Sequence, residues 1–97
     1  MNRLLLALIM LFALATPAAA DDWEDAVAAY KRGDYTTALR LFKPFAEQGG
    51  GIAQWSLGYM YAHGQGVPQD YAEAVRWYRL AAEQGNRFAK YNLNHLH

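Results

Sequence analysis

The sequence predicts an all-α fold: an α/α solenoid of about two and a half helix-turn-helix units, comprising five helices. Three observations predict it: a 36-residue internal repeat, apolar residues at helical spacing, and no segment that alternates as a β-strand does. Residues 34–57 moved forward by 36 positions align with residues 70–93 without a gap. A fixed period of this length indicates stacked units that contact mainly their neighbours. The identical pairs are Asp34/Asp70, Tyr35/Tyr71, Ala38/Ala74, Arg40/Arg76, Ala46/Ala82, Glu47/Glu83, Gln48/Gln84, Gly49/Gly85, Ala53/Ala89 and Leu57/Leu93.

Residues 1–20 have the layout of a secretory signal peptide and stand outside the predicted fold. Arg3 supplies a positive charge, residues 4–15 form an unbroken apolar run, and three alanines follow before the first acidic residue. The apolar run is shorter than the ~20 residues that a membrane-spanning helix requires. We therefore expect cleavage after Ala20, with an uncleaved membrane anchor as the alternative. The remaining chain, residues 21–97, is the predicted repeat domain, periplasmic or secreted.

The first predicted helix begins at an acidic cap, Asp21 or Asp22, and runs to about Arg32. Acidic residues at its start and basic residues at its end match the preference of the helix dipole. Gly33 ends the helix and forms the whole predicted turn to the next one. One face of this helix is apolar and consists of Trp23, Val27 and Tyr30.

The second predicted helix begins after a cap at Asp34 and spans residues 35–48. Pro44 lies inside it and removes one backbone donor, so we expect a bend near the end of the helix rather than a break. Its apolar stripe consists of Tyr35, Ala38, Leu39, Phe42, Phe45 and Ala46.

Three further helices follow by repetition. A third helix spans about residues 52–62, and a turn with two glycines and a proline occupies residues 64–69. Asp70 caps the fourth helix, with Glu73 placed as in a capping box. A fifth helix over about residues 87–96 repeats the third. Short turns between these helices predict antiparallel neighbours.

The central unit carries a recognisable pattern. It reads Ala53-x-x-x-Leu57-Gly58-x-Met60-Tyr61-x-x-Gly64-x-Gly66-Val67-x-x-Asp70-x-x-x-Ala74-x-x-Trp77-Tyr78-x-x-Ala81-Ala82-x-x-Gly85. This pattern resembles the Sel-one-like repeat (SLR), an α/α relative of the tetratricopeptide repeat (TPR). The first helix pair is a degenerate copy with a shorter turn, and the last copy has only its first helix, with Asn94 where the central copy has Gly58. The resemblance implies a binding scaffold, often with envelope or host-contact roles in exported bacterial members, and it carries over no catalytic residue.

Charge and composition exclude several function classes. Arg3 is the only charged residue before Asp21, so residues 21–97 carry eight basic and nine acidic side chains. This balance lacks the basic footprint of a nucleic-acid-binding protein, and we expect no nucleic-acid partner. The chain has no cysteine, which excludes disulfides, thiol catalysis and lipid attachment through cysteine.

No residue pattern indicates catalysis, a cofactor or a metal. The histidines His63, His95 and His97 lack the i, i+4 spacing of a facing metal pair on a helix. Ser56 is the one serine, and no glycine-rich elbow surrounds it. Asp34 and Asp70 recur at equivalent cap positions, which indicates a structural role for both.

Aromatic residues exceed what the repeat pattern requires. Those in excess are Trp23, Tyr30, Trp55, Tyr59 and Tyr91. Aromatic side chains on the first helix of each pair can line the concave face of such a stack, where partners bind. The alternative is packing between neighbouring units. On the binding interpretation, the predicted partner-binding groove consists of Gln54, Trp55, Tyr59, Tyr91 and Asn92.

The functional prediction is an exported, non-enzymatic protein–protein interaction module that acts as an adaptor or scaffold. A first alternative is a small periplasmic inhibitor or immunity-type protein that binds one specific enzyme. A second is an envelope hydrolase, which the absence of a nucleophile–base or metal pattern disfavours. Since repeat arrays usually need about three units, we expect a marginally stable monomer, a self-associating protein or one that a partner completes.

Overall fold

The computed structural model of the chain describes residues 19–96 and confirms the all-α solenoid. Within that range there are five α-helices and no strand. Most of the expected signal segment lies outside the described residues, as does His97. The helices are α1 (Ala20–Lys31), α2 (Tyr35–Glu47), α3 (Gly51–His63), α4 (Tyr71–Glu83) and α5 (Arg87–Asn94).

Side-chain caps start three of the helices. Asp34, Asp70 and Asn86 each accept a hydrogen bond from the backbone N–H three residues on, at 3.3, 3.1 and 2.9 Å. Each cap satisfies one of the backbone donors that a helix N-terminus leaves without an internal partner. The two predicted aspartate caps are therefore confirmed, and Asn86 performs the same role for α5.

The start of α1 differs from the prediction. The helix begins at Ala20 after an N-cap at Ala19, so neither Asp21 nor Asp22 is the cap. Asp22 instead lies in the first turn, where its Oδ2 accepts a hydrogen bond from the Ala19 backbone N–H at 3.4 Å. A carboxylate in this position still favours the helix N-terminus electrostatically. The expected cleavage point after Ala20 thus falls within the first turn of α1.

Two other local expectations are also corrected. Glu73 does not close a capping box, because its carboxylate binds Arg76 through two hydrogen bonds of 2.9 and 3.0 Å. Helix α5 ends at Asn94, two residues earlier than expected. Helix α2, by contrast, continues through Pro44 to Glu47, as expected.

The core is built from small residues on the contact faces of consecutive helices. One buried cluster joins α1, α2 and α3 with Trp77 of α4, and a second joins the end of α3 to α4 and α5. Alanines let the helix axes approach, and the larger side chains fill the space between them. The fully buried large side chains are Leu57, Met60 and Tyr78.

The turn between α3 and α4 contacts the first unit. A Cβ at Gly66 would lie 2.7 Å from the carbonyl carbon and oxygen of Tyr35, and Gly66 has a φ of +76°. Both observations require glycine at this position. The neighbouring Gln65 accepts a hydrogen bond from the hydroxyl of Tyr30 at 3.0 Å. This turn therefore joins two repeat units as well as two helices.

The backbones of helices α1 and α3 do not approach each other closely. No Cα of α1 lies within 8 Å of a Cα of α3, whereas α3 and α5 do make such contacts. Both α1 and α3 pack on α2, which lies between them. The first helices of the first two units are consequently separated by an open space.

Candidate binding groove

An apolar groove of about 450 Å³ occupies the space between α1 and α3. Five of its nine lining residues are aromatic, and of the other four two are aliphatic and two, a lysine and a serine, are polar. A concave, mainly apolar site with few polar groups is the usual form of a binding site. The lining residues are Trp23, Val27, Tyr30 and Lys31 from α1, Phe42 from α2, and Ile52, Trp55, Ser56 and Tyr59 from α3.

Each indole of the groove is held in place by a neighbouring helix. Trp23 packs edge-on against Phe42 and Phe45 of α2, with 5.2 Å between ring centroids in each pair. Trp55 is tied to α5, because its Nε1–H donates to Asn92 Oδ1 at 2.8 Å and its ring lies 5.5 Å from that of Phe88. The walls are thus anchored in the surrounding structure and the groove is preformed.

The groove carries one charge. Lys31 is the only charged residue that lines it, and no carboxylate does. Burial raises the pKa of the Tyr30 hydroxyl, and the neighbouring Tyr59 and Tyr35 raise it further. The Ser56 hydroxyl donates to the Ile52 carbonyl of its own helix at 2.8 Å. The groove is therefore neutral and apolar apart from a single cation at the end of α1.

The structure brings together three of the five predicted partner-binding residues. Trp55 and Tyr59 line the groove, and Asn92 holds the Trp55 indole. Tyr91 lies on α5 with 62% of its surface exposed, stacked on His95 at 4.0 Å. Gln54 is buried between α2 and α3, where its Nε2 donates to the Ala46 carbonyl at 3.1 Å. Gln54 is therefore not part of the groove surface.

Several lining residues were not in the predicted groove. Trp23, Val27 and Tyr30 share the predicted apolar face of the first helix, but the predicted groove contains none of them, nor Ile52, which is 61% exposed. Trp23 and Tyr30 both belong to the aromatic residues in excess of the repeat pattern. That excess was the signal that could have identified α1 as a wall of the groove.

The described residues contain no cluster of side chains that forms a candidate metal site. Within residues 19–96 no three His, Asp or Glu side chains cluster as a metal site would need. His63 and His95 each place Nδ1 on the backbone carbonyl four residues earlier, at 2.9 and 2.7 Å. A neutral carbonyl accepts only, so Nδ1 carries the hydrogen in both. None of the helices in this part of the chain combines the length and hydropathy needed to cross a bilayer.

Two segments of the chain match the model of a known repeat family. Residues 28–50 and residues 51–86 each match the family model of the Sel1 repeat, and together they make up more than half of the 97 residues. The second match begins with α3 and covers the whole helix pair α3–α4. The resemblance seen in the sequence is thereby confirmed. A search of curated proteins finds no significant match.

Proposed function

Because the chain belongs to the Sel1 repeat family, whose helical units generally serve protein–protein interaction, we propose that it is an exported, non-enzymatic adaptor that binds a protein partner in the α1–α3 groove. The observation that carries this proposal is a preformed, largely aromatic groove on one side of the array. Aromatic residues in preformed concave sites dominate the energetics of protein interfaces. Trp55 and Tyr59 are the predicted binding residues that this groove retains.

The proposal is tested by cross-linking in the host of the protein, followed by affinity capture and mass spectrometry. Ser56 lines the groove, so Ser56→Trp is expected to fill it, while Ser56→Ala leaves it open. We expect a partner captured by the wild type and by Ser56→Ala to be lost with Ser56→Trp. Capture of the same partner by all three proteins would show that the partner does not bind in the groove.

The identity of what is captured distinguishes the alternatives. One dominant enzyme whose activity falls on binding would make the protein an inhibitor of the immunity type. Cross-links to further copies of the same chain alone would make it a self-assembling module and would contradict the adaptor proposal. An envelope hydrolase would instead show turnover in a substrate screen, and the described residues offer no nucleophile–base pair to support that outcome.

Export is part of the proposal and has its own measurement. The layout of residues 1–20 supports a periplasmic or secreted protein that is free of the membrane after cleavage. The intact mass of the protein recovered from the periplasm should correspond to a chain that begins at Asp21. An intact mass that includes residues 1–20 in a membrane fraction would instead establish the uncleaved anchor.

A further inference from the structure

The class of partner can be narrowed from the chemistry of the groove, on the premise that the groove is the binding site proposed above. Aromatic rings come from both walls and the floor: Trp23 and Tyr30 from α1, Trp55 and Tyr59 from α3, and Phe42 from α2. Flat aromatic rings suit proline rings, and aromatic-lined grooves recognise proline-rich segments in several unrelated domains. Such segments are extended before they bind, so ordering them costs little conformational entropy.

Other small ligands fit this lining poorly. A sugar presents many hydroxyls, but three of the polar groups in the lining already have partners in the protein: the Tyr30 hydroxyl, the Trp55 indole N–H and the Ser56 hydroxyl donate to Gln65, Asn92 and Ile52. Sugar hydroxyls buried there would lose hydrogen bonds to water without replacement. A quaternary ammonium ion also prefers an aromatic site, yet here a lysine lines the groove and no carboxylate balances the charge.

The hydrogen-bonding groups of the groove favour an extended chain over a helix. Neither the Trp23 indole N–H nor the Tyr59 hydroxyl has a hydrogen-bond partner between Ala19 and Leu96. A polyproline-type segment makes no internal hydrogen bonds, so its carbonyls remain free to accept from such donors. A helix keeps nearly all of its carbonyls bonded internally. An extended ligand therefore offers these two donors carbonyl acceptors that a helical ligand lacks.

Lys31 gives the ligand a charge and a direction. It is the one charged residue of the lining and stands in the last turn of α1, at one end of the groove. An acidic side chain on the ligand would complement it, and complementary charges at the edge of an interface set register and orientation. We propose that the groove binds an extended, proline-rich segment that carries an acidic residue beside Lys31.

The test is calorimetric titration of the purified protein with three capped synthetic peptides. The first is proline-rich with one glutamate, the second replaces that glutamate by lysine, and the third is an amphipathic helix former with one glutamate and the same number of apolar residues. We expect the first peptide to bind about tenfold or more tightly than either of the others, a difference of roughly 1.4 kcal/mol.

Charge variants make the test specific. Lys31→Glu should reverse the preference between the first two peptides, and Lys31→Gln should abolish it. Lys90→Glu is the matched control, because Lys90 is exposed on α5 and does not line the groove. This control should bind all three peptides as the wild type does.

Two results would overturn the proposal and still leave the proposed function standing. One is binding of the helical peptide as tightly as the proline-rich one. The other is no binding of any peptide while the Ser56→Trp variant still loses a captured partner. If Ser56→Trp captures the partner normally, the proposed function itself fails.

Discussion

At the scale of single residues, Gly58 shows how tightly this small core is packed. A Cβ built at Gly58 would lie 2.6 Å from Cδ1, 2.7 Å from Cε1 and 3.0 Å from Cγ of the Tyr78 ring. That ring is 1% exposed, so it cannot move aside into solvent. The contact between α3 and α4 therefore depends on a missing methyl group.

Gly58→Ala is expected to destabilise the protein even though alanine is the better helix former. Helix propensity alone would favour the change by about 0.8–1 kcal/mol. Overpacking against a buried ring should cost about 1–3 kcal/mol or more and outweigh that gain. Urea denaturation measures the difference. The double variant Gly58→Ala/Tyr78→Leu removes the ring and should recover part of the lost stability. If Gly58→Ala alone melted at or above the temperature of the wild type, the close contact would be refuted.

Tyr78 also makes stability depend on alkaline pH. Burial, with a smaller contribution from Tyr59, raises the pKa of Tyr78 from its usual value of 10.0 to about 12. The fold thus favours the neutral phenol, so the stabilisation is complete below pH 10 and is lost as the pH rises from 10 towards 12. The urea midpoint should fall more steeply over this range in the wild type than in Tyr78→Phe, which keeps the ring. Identical slopes for the two proteins would exclude Tyr78 as the titrating group.

At the scale of helices, the caps of α2 and α4 were predictable because they depend on local sequence. Asp34 and Asp70 stand directly before periodic apolar stripes, and both cap their helices. The role of Glu73 was not predictable in the same way, since Arg76 competes for its carboxylate within one turn. That pairing lowers the pKa of Glu73, chiefly through the hydrogen bond from Arg76.

Asp70→Ala should therefore cost more stability than Glu73→Gln. Loss of the cap leaves the Glu73 backbone N–H without its acceptor, and N-cap removal typically costs about 0.5–2 kcal/mol. Glu73→Gln weakens an exposed pair three residues apart on a helix, which contributes only about 0.2–0.5 kcal/mol. Chemical denaturation of the two variants compares them. Equal costs would mean that Glu73 supports the start of α4 after all.

The groove was only half predictable, because it depends on how far apart two helices lie. Repeat periodicity identified Trp55 and Tyr59 as surplus aromatics, but it compares like helices and says nothing of the distance between α1 and α3. That distance follows from non-local contacts, such as Trp23 on Phe45 and the Tyr30 hydroxyl on Gln65. The interior position of Gln54 depends in the same way on the packing of α2 against α3.

At the scale of the whole molecule, stability is distributed along a row of neighbours. The two core clusters meet at α3 and α4, each of which contributes residues to both. Helix α5 is at one side of this row and packs on α4 and, more lightly, on α3. In α5, Asn94 occupies the repeat position that Gly58 occupies in α3, and its side chain is exposed. If a further helix packed on α5 as α4 packs on α3, it would contact Asn94 at the position where Tyr78 contacts Gly58.

Asn92→Ala should loosen α5 without unfolding the rest. It removes the acceptor of the Trp55 indole, one of the contacts that hold α5 against α3. Hydrogen exchange measured by mass spectrometry should show faster exchange in α5 and unchanged protection in α1 and α2, because coupling in such arrays decays from neighbour to neighbour. Asn94→Ala is the matched control. Uniform loss of protection over all helices would show that the array unfolds as one unit.

The placement of the three tryptophans gives the protein an internal optical reporter. Trp23 and Trp55 line the groove, whereas Trp77 is 5% exposed in the core, with the Arg76 guanidinium 4.4 Å from its ring centroid. A soluble quencher such as acrylamide should therefore reach two indoles in the free protein and leave the third emitting. A ligand in the groove would shield those two and shift their emission, while Trp77 would serve as a constant reference within the same molecule. Occupancy of the groove can thus be read from intrinsic fluorescence, without a label and before any partner has been identified.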